Sequence, residues 1–345
     1  MRSRLLPLCV ALLLACRGHE PTAPALTIVS LGVVPPTAAG ATVSDSIRVR
    51  VADVDGNVKG GVSVAFAVTA GGGAVSPGVV TTDAQGRAAA RFTTGTTVGV
   101  NTVTATIAGA APTTITLTTV AGPAATIALR ERIVFIDAGQ RFTPTVTAAD
   151  ANGNTVQPSQ LLYEARTPFV VSVASDGSVS ASVRAQTILV VSSPLARDSV
   201  LVVVTTPNGP VLQSELTRFD LAHDTTFTVP VVLDMRTAQE KLGAATMAIR
   251  WDPTQLTFVA NTNGSSSSGV VVNATAVVQG AFSLALANAA GLSGRIELQR
   301  LTFKATPTAG KAGTLRFSVS EISAAGTFAD LLSKTAAVTY PLSIR

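Results

Sequence analysis

Apolar and polar residues alternate strictly through most of this chain. The inner sets include Ile47, Val49 and Val51; Val62, Val64, Phe66 and Val68; and Phe142, Pro144 and Val146. Further along come Phe227, Val229, Val231 and Leu233; Met247, Ile249 and Trp251; Phe282, Leu284 and Leu286; and Leu315, Phe317 and Val319. A period of two puts successive side chains on opposite faces, so each run predicts a half-buried β-strand whose listed residues face a core. Between the runs stand Thr82-Asp83-Ala84-Gln85-Gly86 and the Gly/Ser stretch from Asn263 to Gly269. Glycine accepts positive φ, and Asp and Asn bond back to nearby backbone, so these segments predict turns and loops.

One passage repeats. Val51-Ala52-Asp53-Val54-Asp55-Gly56-Asn57-Val58 returns as Ala148-Ala149-Asp150-Ala151-Asn152-Gly153-Asn154-Thr155, each time after an alternating run. The offset between Asp53 and Asp150 matches about one immunoglobulin-like domain of ~100 residues. With 345 residues, the expected division is 25–121, 122–206 and 211–345. Thr205 to Pro210 reads as a linker held extended by Pro207 and Pro210.

In residues 25–121, D-x-D-G-N is followed by V-x-V-x-F, then T-D-x-x-G-x-A, then V-T-A-T. That order resembles the bacterial immunoglobulin-like repeats of intimin and invasin. Residues 122–206 carry Val171-Ser172-Val173, Asp176 to Ala181 and Ile188 to Val191, and resemble a second bacterial immunoglobulin-like repeat, with Tyr163 near the position where that family often has Trp. In 211–345, Val229-Pro230-Val231-Val232-Leu233-Asp234, then Trp251-Asp252-Pro253 with Leu256 and Phe258, then Gly294 to Lys304, resemble cohesin and related carbohydrate-binding sandwich modules. Together these resemblances imply an all-β chain: tandem immunoglobulin-like β-sandwiches and a C-terminal cohesin-like jelly-roll β-sandwich. They imply a non-catalytic cell-surface protein whose partner is either a dockerin-like protein module or a polysaccharide, the alternative being a purely structural or adhesion protein with no specific small ligand.

Composition agrees with strands. Hydrophobic residues make up 47%, largely Ala and Val, while charged residues are 13% and aromatics 4%. Amphipathic helices would carry more Leu, Glu and Lys. The N-terminus reads as an export signal, with basic Arg2 and Arg4, then an apolar run from Leu5 to Ala15 that is too short to span a bilayer. Leu13-Leu14-Ala15-Cys16 resembles a bacterial lipobox, which implies acylation at Cys16 after residues 1–16 have directed export, and a short tether at 17–24. The expected location is therefore the cell envelope, at the outer membrane or cell surface. Cys9 and Cys16 are the only cysteines, so domains beyond Cys16 have no internal disulfide and must be held by core burial. The formal charge of +5 falls to +3 once Arg2 and Arg4 leave, and the remaining basic residues are dispersed along the sequence, which gives nucleic-acid binding no support.

Candidate chemistry is sparse. The histidines are His19, in the tether, and His223, placed ahead of the first strand of the third domain; no G-x-S-x-G passage accompanies them. Glu297 and Glu321 fall on strands of that domain, and Asp220, Asp224, Asp234, Asp252 and Asp330 near strand ends or loops, with nothing to pair two at a working separation. Both Asp-rich turns fail the calcium-loop spacing: Val58 and Thr155 stand where that loop needs glycine. No catalytic residue, metal site or cofactor is therefore assigned. Trp251 is in phase with Met247 and Ile249 and is expected inside; Tyr340 is the one aromatic of the third domain expected outside. A single sequence does not say which loops or sheet face bind a partner.

Overall fold

A computed structural model describes residues 25–216 and 220–345. Cys16, with its expected lipidation, lies outside the described residues. The chain divides into two compact units, one ending at Val120 and one running from Ala121 to Arg345.

In the first unit, the alternating segments become strands Ile47–Asp53, Ser63–Ala70, Arg87–Thr93 and Gly99–Thr106. They lie in a four-stranded and a five-stranded sheet. The inner sets meet in one core: Val49, Val51, Val64, Phe66, Phe92, Val103 and Leu117 are all buried. Leu26–Leu31 pairs antiparallel with Ile47–Asp53, whereas Thr37–Ala38 pairs parallel with the last strand, Thr113–Val120, in the other sheet. Pro35 and Pro36 lie where the chain crosses between sheets, a place where missing N–H donors cost no ladder bonds.

Each sandwich of the second unit opens the same way. Ala124–Leu129 pairs antiparallel with Val146–Asp150, then Ile133–Asp137 runs parallel to Arg197–Thr205. Val211–Gln213 pairs antiparallel with Thr226–Asp234, then Asp220–Leu221 runs parallel to Thr339–Ile344. A first strand divided between two sheets links the faces of a sandwich at the chain entry. The C-terminal sandwich packs a five-stranded sheet on a six-stranded one. Its core holds Trp251, Phe282, Phe303 and Phe317, with the Trp251 and Phe303 rings 4.9 Å apart, edge to face. Such aromatic pairs add about 0.5–1.5 kcal/mol to the burial of their surface.

Three expectations are corrected. Phe142, Pro144 and Val146 do not share a strand: Arg141–Phe142 pairs with Val179–Ala181, while Val146–Asp150 pairs with Ala124–Leu129. Pro144 stands between them without an N–H for either ladder. The segment after Thr205 is not an extended spacer. Gly209 N–H donates to the Thr206 carbonyl at 3.0 Å, with Pro207 second and Asn208, at φ +59°, third in the turn. Leu201 and Val203, from the strand just before this turn, belong to the core of the C-terminal sandwich. Arg184 donates to the carbonyls of Ser333 and Thr335, and Gln186 exchanges two hydrogen bonds with the backbone of Thr339. Thirdly, Tyr340 is fully buried. Its hydroxyl accepts from Ser214 N–H and donates to Ser214 carbonyl, both at 2.7 Å, across the two sheets.

Candidate functional site

The outer face of the six-stranded sheet is built from small side chains. Strand Leu242–Arg250 sits between Ala281–Leu292 and Lys311–Ala324. With Met247 and Ile249 in the core, the neighbouring Thr246 and Ala248 point outward. The register aligns Thr246 with Ala285, which in turn aligns with Val271, and Ala248 with Ser283 and Ser318. Val271 is exposed at the edge.

The strand Lys311–Ala324 shifts register on this face. Thr246 opposes Glu321 and Met247 opposes Val319, so Ser320 is an extra residue, a bulge. Both Ser320 and Glu321 are exposed, and the inward phase moves from Leu315 and Phe317 to Ile322 and Ala324. Beyond the bulge the chain turns back through Gly326, and Ala324 N–H donates to the Ala329 carbonyl at 2.9 Å. This turn holds Phe328 at φ +57° with 81% of its surface exposed. A bulky residue with positive φ is a genuine outlier, costing about 1–2 kcal/mol, and here no burial offsets the cost. Phe328, Leu332, Glu321 and Asp330 rim a depression of about 490 Å³ floored by Ala244, Ala245, Thr246 and Ala285. Asp330 accepts Leu332 N–H at 2.8 Å, and Glu321 accepts the Thr246 hydroxyl at 3.3 Å.

The other sequence-singled residues do not converge there. Glu297 is buried on the opposite sheet, in strand Arg295–Ala305, and ion-paired with Arg300 and Arg295. The Arg300 hydrogen bond holds its carboxyl below the usual range against the opposing effect of burial. Asp224 pairs with Lys304 at 2.7 Å, and that hydrogen bond lowers its pKa too. Burial works against ionisation of Asp234, but the hydrogen bonds and charge of Arg236 prevail and its carboxyl is also lowered. Asp252 is lowered by Thr254, which gives it both hydroxyl and N–H, and by Gln255. Asp220 pairs with Arg345 at 3.4 Å. His223 is exposed, its N–H bonded to the Arg345 carbonyl; it follows Val211–Gln213 rather than preceding the first strand. Trp251 is buried, as its phase predicts. A general acid needs a raised carboxyl, and these four shifts all run the other way.

The repeated Asp turns are filled by the protein's own donors. Asp53 Oδ1 accepts from the N–H groups of Asp55 and Asn57, and Oδ2 from the Asn57 amide and Lys59 at 3.0 Å. Asp150 repeats the pattern with Asn152 and Asn154, and adds Gly122 N–H at 2.9 Å. Chiefly through Lys59, the Asp53 carboxyl is lowered to about 2. Among the described residues there is no group of three or more His, Cys, Asp and Glu arranged to hold a metal. Among the same residues, no helix is long and apolar enough to cross a membrane.

Solved structures similar to this chain include cohesins and an adhesin. The seventh ScaB type I cohesin of Pseudobacteroides cellulosolvens is 13% identical, covering 40% of this chain and 92% of its own, with a TM-score of 0.34. A non-cellulosomal cohesin of Archaeoglobus fulgidus is 18% identical over 40% of this chain and 90% of its own, with a TM-score of 0.31. The Escherichia coli adhesin FdeC is 16% identical, covers 94% of this chain and 99% of its own, and has a TM-score of 0.39. No family model matches, and no curated protein matches.

The face of small residues and the exposed Phe328 were not singled out in the sequence. One signal for the bulge is present there: apolar residues fall at 315, 317 and 319, then at 322 and 324. That slip from odd to even positions marks an inserted residue. The left-handed conformation of Phe328 has no comparable signal, because it is imposed by the closure of the turn around Gly326.

Proposed function

We propose that this chain is a non-catalytic binding protein of the cell envelope, and that it docks a protein partner on the outer face of the six-stranded sheet. The observation that carries this reading is the pairing of a small-residue floor with an exposed, conformationally strained Phe328 at its rim. Ala, Ser and Thr side chains let a partner's backbone or helix approach closely. A projecting aromatic is the kind of side chain that anchors an interface, and strain kept at an exposed position points to a function that uses it. The partner is a dockerin-like module, in keeping with the likeness of 211–345 to cohesin sequences; one similar solved structure, from Clostridium thermocellum, is a type I cohesin–dockerin complex. The modules 25–121 and 122–206 serve as the immunoglobulin-like stalk, and acylated Cys16 as the membrane anchor.

A polysaccharide partner is the second reading. Stacking on sugar rings uses a platform of exposed flat aromatics; Trp251 and Tyr340 are both in the core, and Phe328 at the rim is a single ring rather than a platform, which favours the protein partner. The test is calorimetric titration of the full chain with purified calcium-loaded dockerin modules and, separately, with soluble polysaccharides. Saturable binding of a dockerin module, weakened at least tenfold by Phe328→Ala, supports the proposal. Binding of polysaccharide alone, or dockerin binding untouched by Phe328→Ala and Ala285→Arg, overturns it.

A further inference from the structure

Residues 25–120 contain four arginines and one lysine against four aspartates, with no glutamate. In sequence the arginines are scattered, at 48, 50, 87 and 91. The fold gathers all four on one surface. Arg48 and Arg50 alternate along Ile47–Asp53 with the buried Ile47, Val49 and Val51. Arg87 and Arg91 alternate along Arg87–Thr93 with the buried Ala88, Ala90 and Phe92. The two strands are neighbours in the four-stranded sheet, so all four side chains leave its outer face, and all four are exposed.

The register brings them close. Arg50 lies directly opposite Arg87, and Arg48 opposite Ala89. Strand geometry puts Arg48 and Arg50 about 6.8 Å apart along one strand and the opposed pair about 5 Å apart between Cα atoms. Like charges directly opposite each other destabilise a sheet, so this pairing works against the fold. Little compensates it. Asp45 reaches Arg48 at 3.3 Å in an exposed ion pair. Asp53 is taken by Lys59, and Asp83 by the N–H groups of Gln85 and Arg87 in its own turn. Among the described residues, Arg50, Arg87 and Arg91 have no carboxylate partner within salt-bridge distance.

We infer that this face of the first unit binds an anionic polysaccharide, one whose repeating carboxylate, sulfate or phosphate groups meet the guanidinium array. Guanidinium groups take such oxyanions bidentately, and a row of charges at repeating spacing matches a polymer better than an isolated ion. Both aromatic side chains of this unit, Phe66 and Phe92, are in the core. The surface thus offers no ring on which nucleic-acid bases would stack, nor one to enter a bilayer interface. This site is separate from the docking face of the C-terminal sandwich and does not depend on it.

The test uses the full chain against immobilised heparin as a sulfated probe and polygalacturonate as a carboxylated one, with neutral dextran as reference. The wild-type chain should bind at least one of the charged polymers and not dextran, with affinity falling steeply as salt rises. Arg50→Gln with Arg87→Gln should weaken binding at least tenfold, and the change of all four arginines should abolish it. The slope of log affinity against log salt should fall by about one for each arginine removed, as for other polyanions. The paired change Arg141→Gln with Arg166→Gln removes the same net charge elsewhere and should leave binding within twofold. Circular dichroism and the melting temperature confirm that each variant is folded. Equal binding by the quadruple variant, equal loss in the Arg141/Arg166 control, or preference for phosphatidylserine vesicles or single-stranded DNA over both polymers would each overturn the inference.

Discussion

Removing one oxygen from Tyr340 should destabilise the second unit by about 3 kcal/mol. The hydroxyl sits in a fully buried environment and satisfies both backbone groups of Ser214, which is itself buried. These are contacts between positions 126 residues apart, and they join the entry of the C-terminal sandwich to its last strand. Tyr340→Phe keeps the ring against Phe317, its neighbour at 5.7 Å, so no sizeable cavity opens. What is lost is the partner of one buried N–H and one buried C=O. An orphaned group of this kind costs about 1–3 kcal/mol, and partial relaxation keeps the pair in the lower half of the summed range. At ~2–4 °C per kcal/mol for a domain of this size, the transition should fall by roughly 6–12 °C. Calorimetry of the full chain, with urea unfolding to check that the m-value is unchanged, measures it. The same burial pushes the phenol's pKa well above its usual value, so the ultraviolet titration of Tyr340 should be absent below the pH of unfolding. A loss below 1 °C would refute the reasoning, since it would mean that Ser214 finds other partners without cost.

Other expectations follow from the same structure. Phe328→Gly should raise stability by about 1 kcal/mol, because glycine adopts φ +57° freely and little apolar surface leaves the core, while partner binding falls; a drop in melting temperature would contradict it. Gly280→Ala should cost about 2 kcal/mol or more by urea unfolding, since φ is +77° and a Cβ would collide with the Trp251 carbonyl. Phe303→Ala should cost about 3–5 kcal/mol through the cavity left beside Trp251 and Phe258. Asp53 is lowered to about 2 in the folded chain against about 3.9 when unfolded. Its contribution is therefore complete above the unfolded value and is lost as pH falls toward 2. Asp53→Asn should flatten the acid limb of the first unit's stability profile in that window, and an unchanged acid limb would count against the Lys59 contact.

Where side chains alternate without interruption, the fold was legible in the sequence. Val64 and Phe66, Met247 and Ile249, and Phe282 and Leu284 all face cores, because a period of two leaves no other way to bury them. The Asp53 and Asp150 turns were legible for a local reason: their donors lie within a few residues of the acceptor. Long-range pairing was not. The buried position of Tyr340 depends on Ser214, far away in sequence, and its alternation with Leu342 and Ile344 in a short terminal strand was too brief to weigh. Pro144 interrupted a pattern that looked continuous because proline counts as apolar in phase but donates nothing to a ladder. The arginine face could not be seen either, since only the pairing of Ile47–Asp53 with Arg87–Thr93 unites residues 37 or more positions apart. The carboxylates of the C-terminal sandwich looked like scattered strand-end charges; the structure gives Asp220, Asp224, Asp234 and Glu297 separate basic partners, while Glu321 and Asp330 come together at the rim of the depression.

The most direct test of the central claim is titration of the full chain with a panel of purified calcium-loaded dockerin modules, wild type beside Ala285→Arg. Ala285 lies in the middle of the small-residue face and is exposed, so arginine there leaves the core intact but occupies the floor on which a partner would rest. The account predicts saturable binding by at least one module and its loss, by a hundredfold or more, in the variant. Binding of equal strength to both chains, or retention only on polysaccharide, would contradict it.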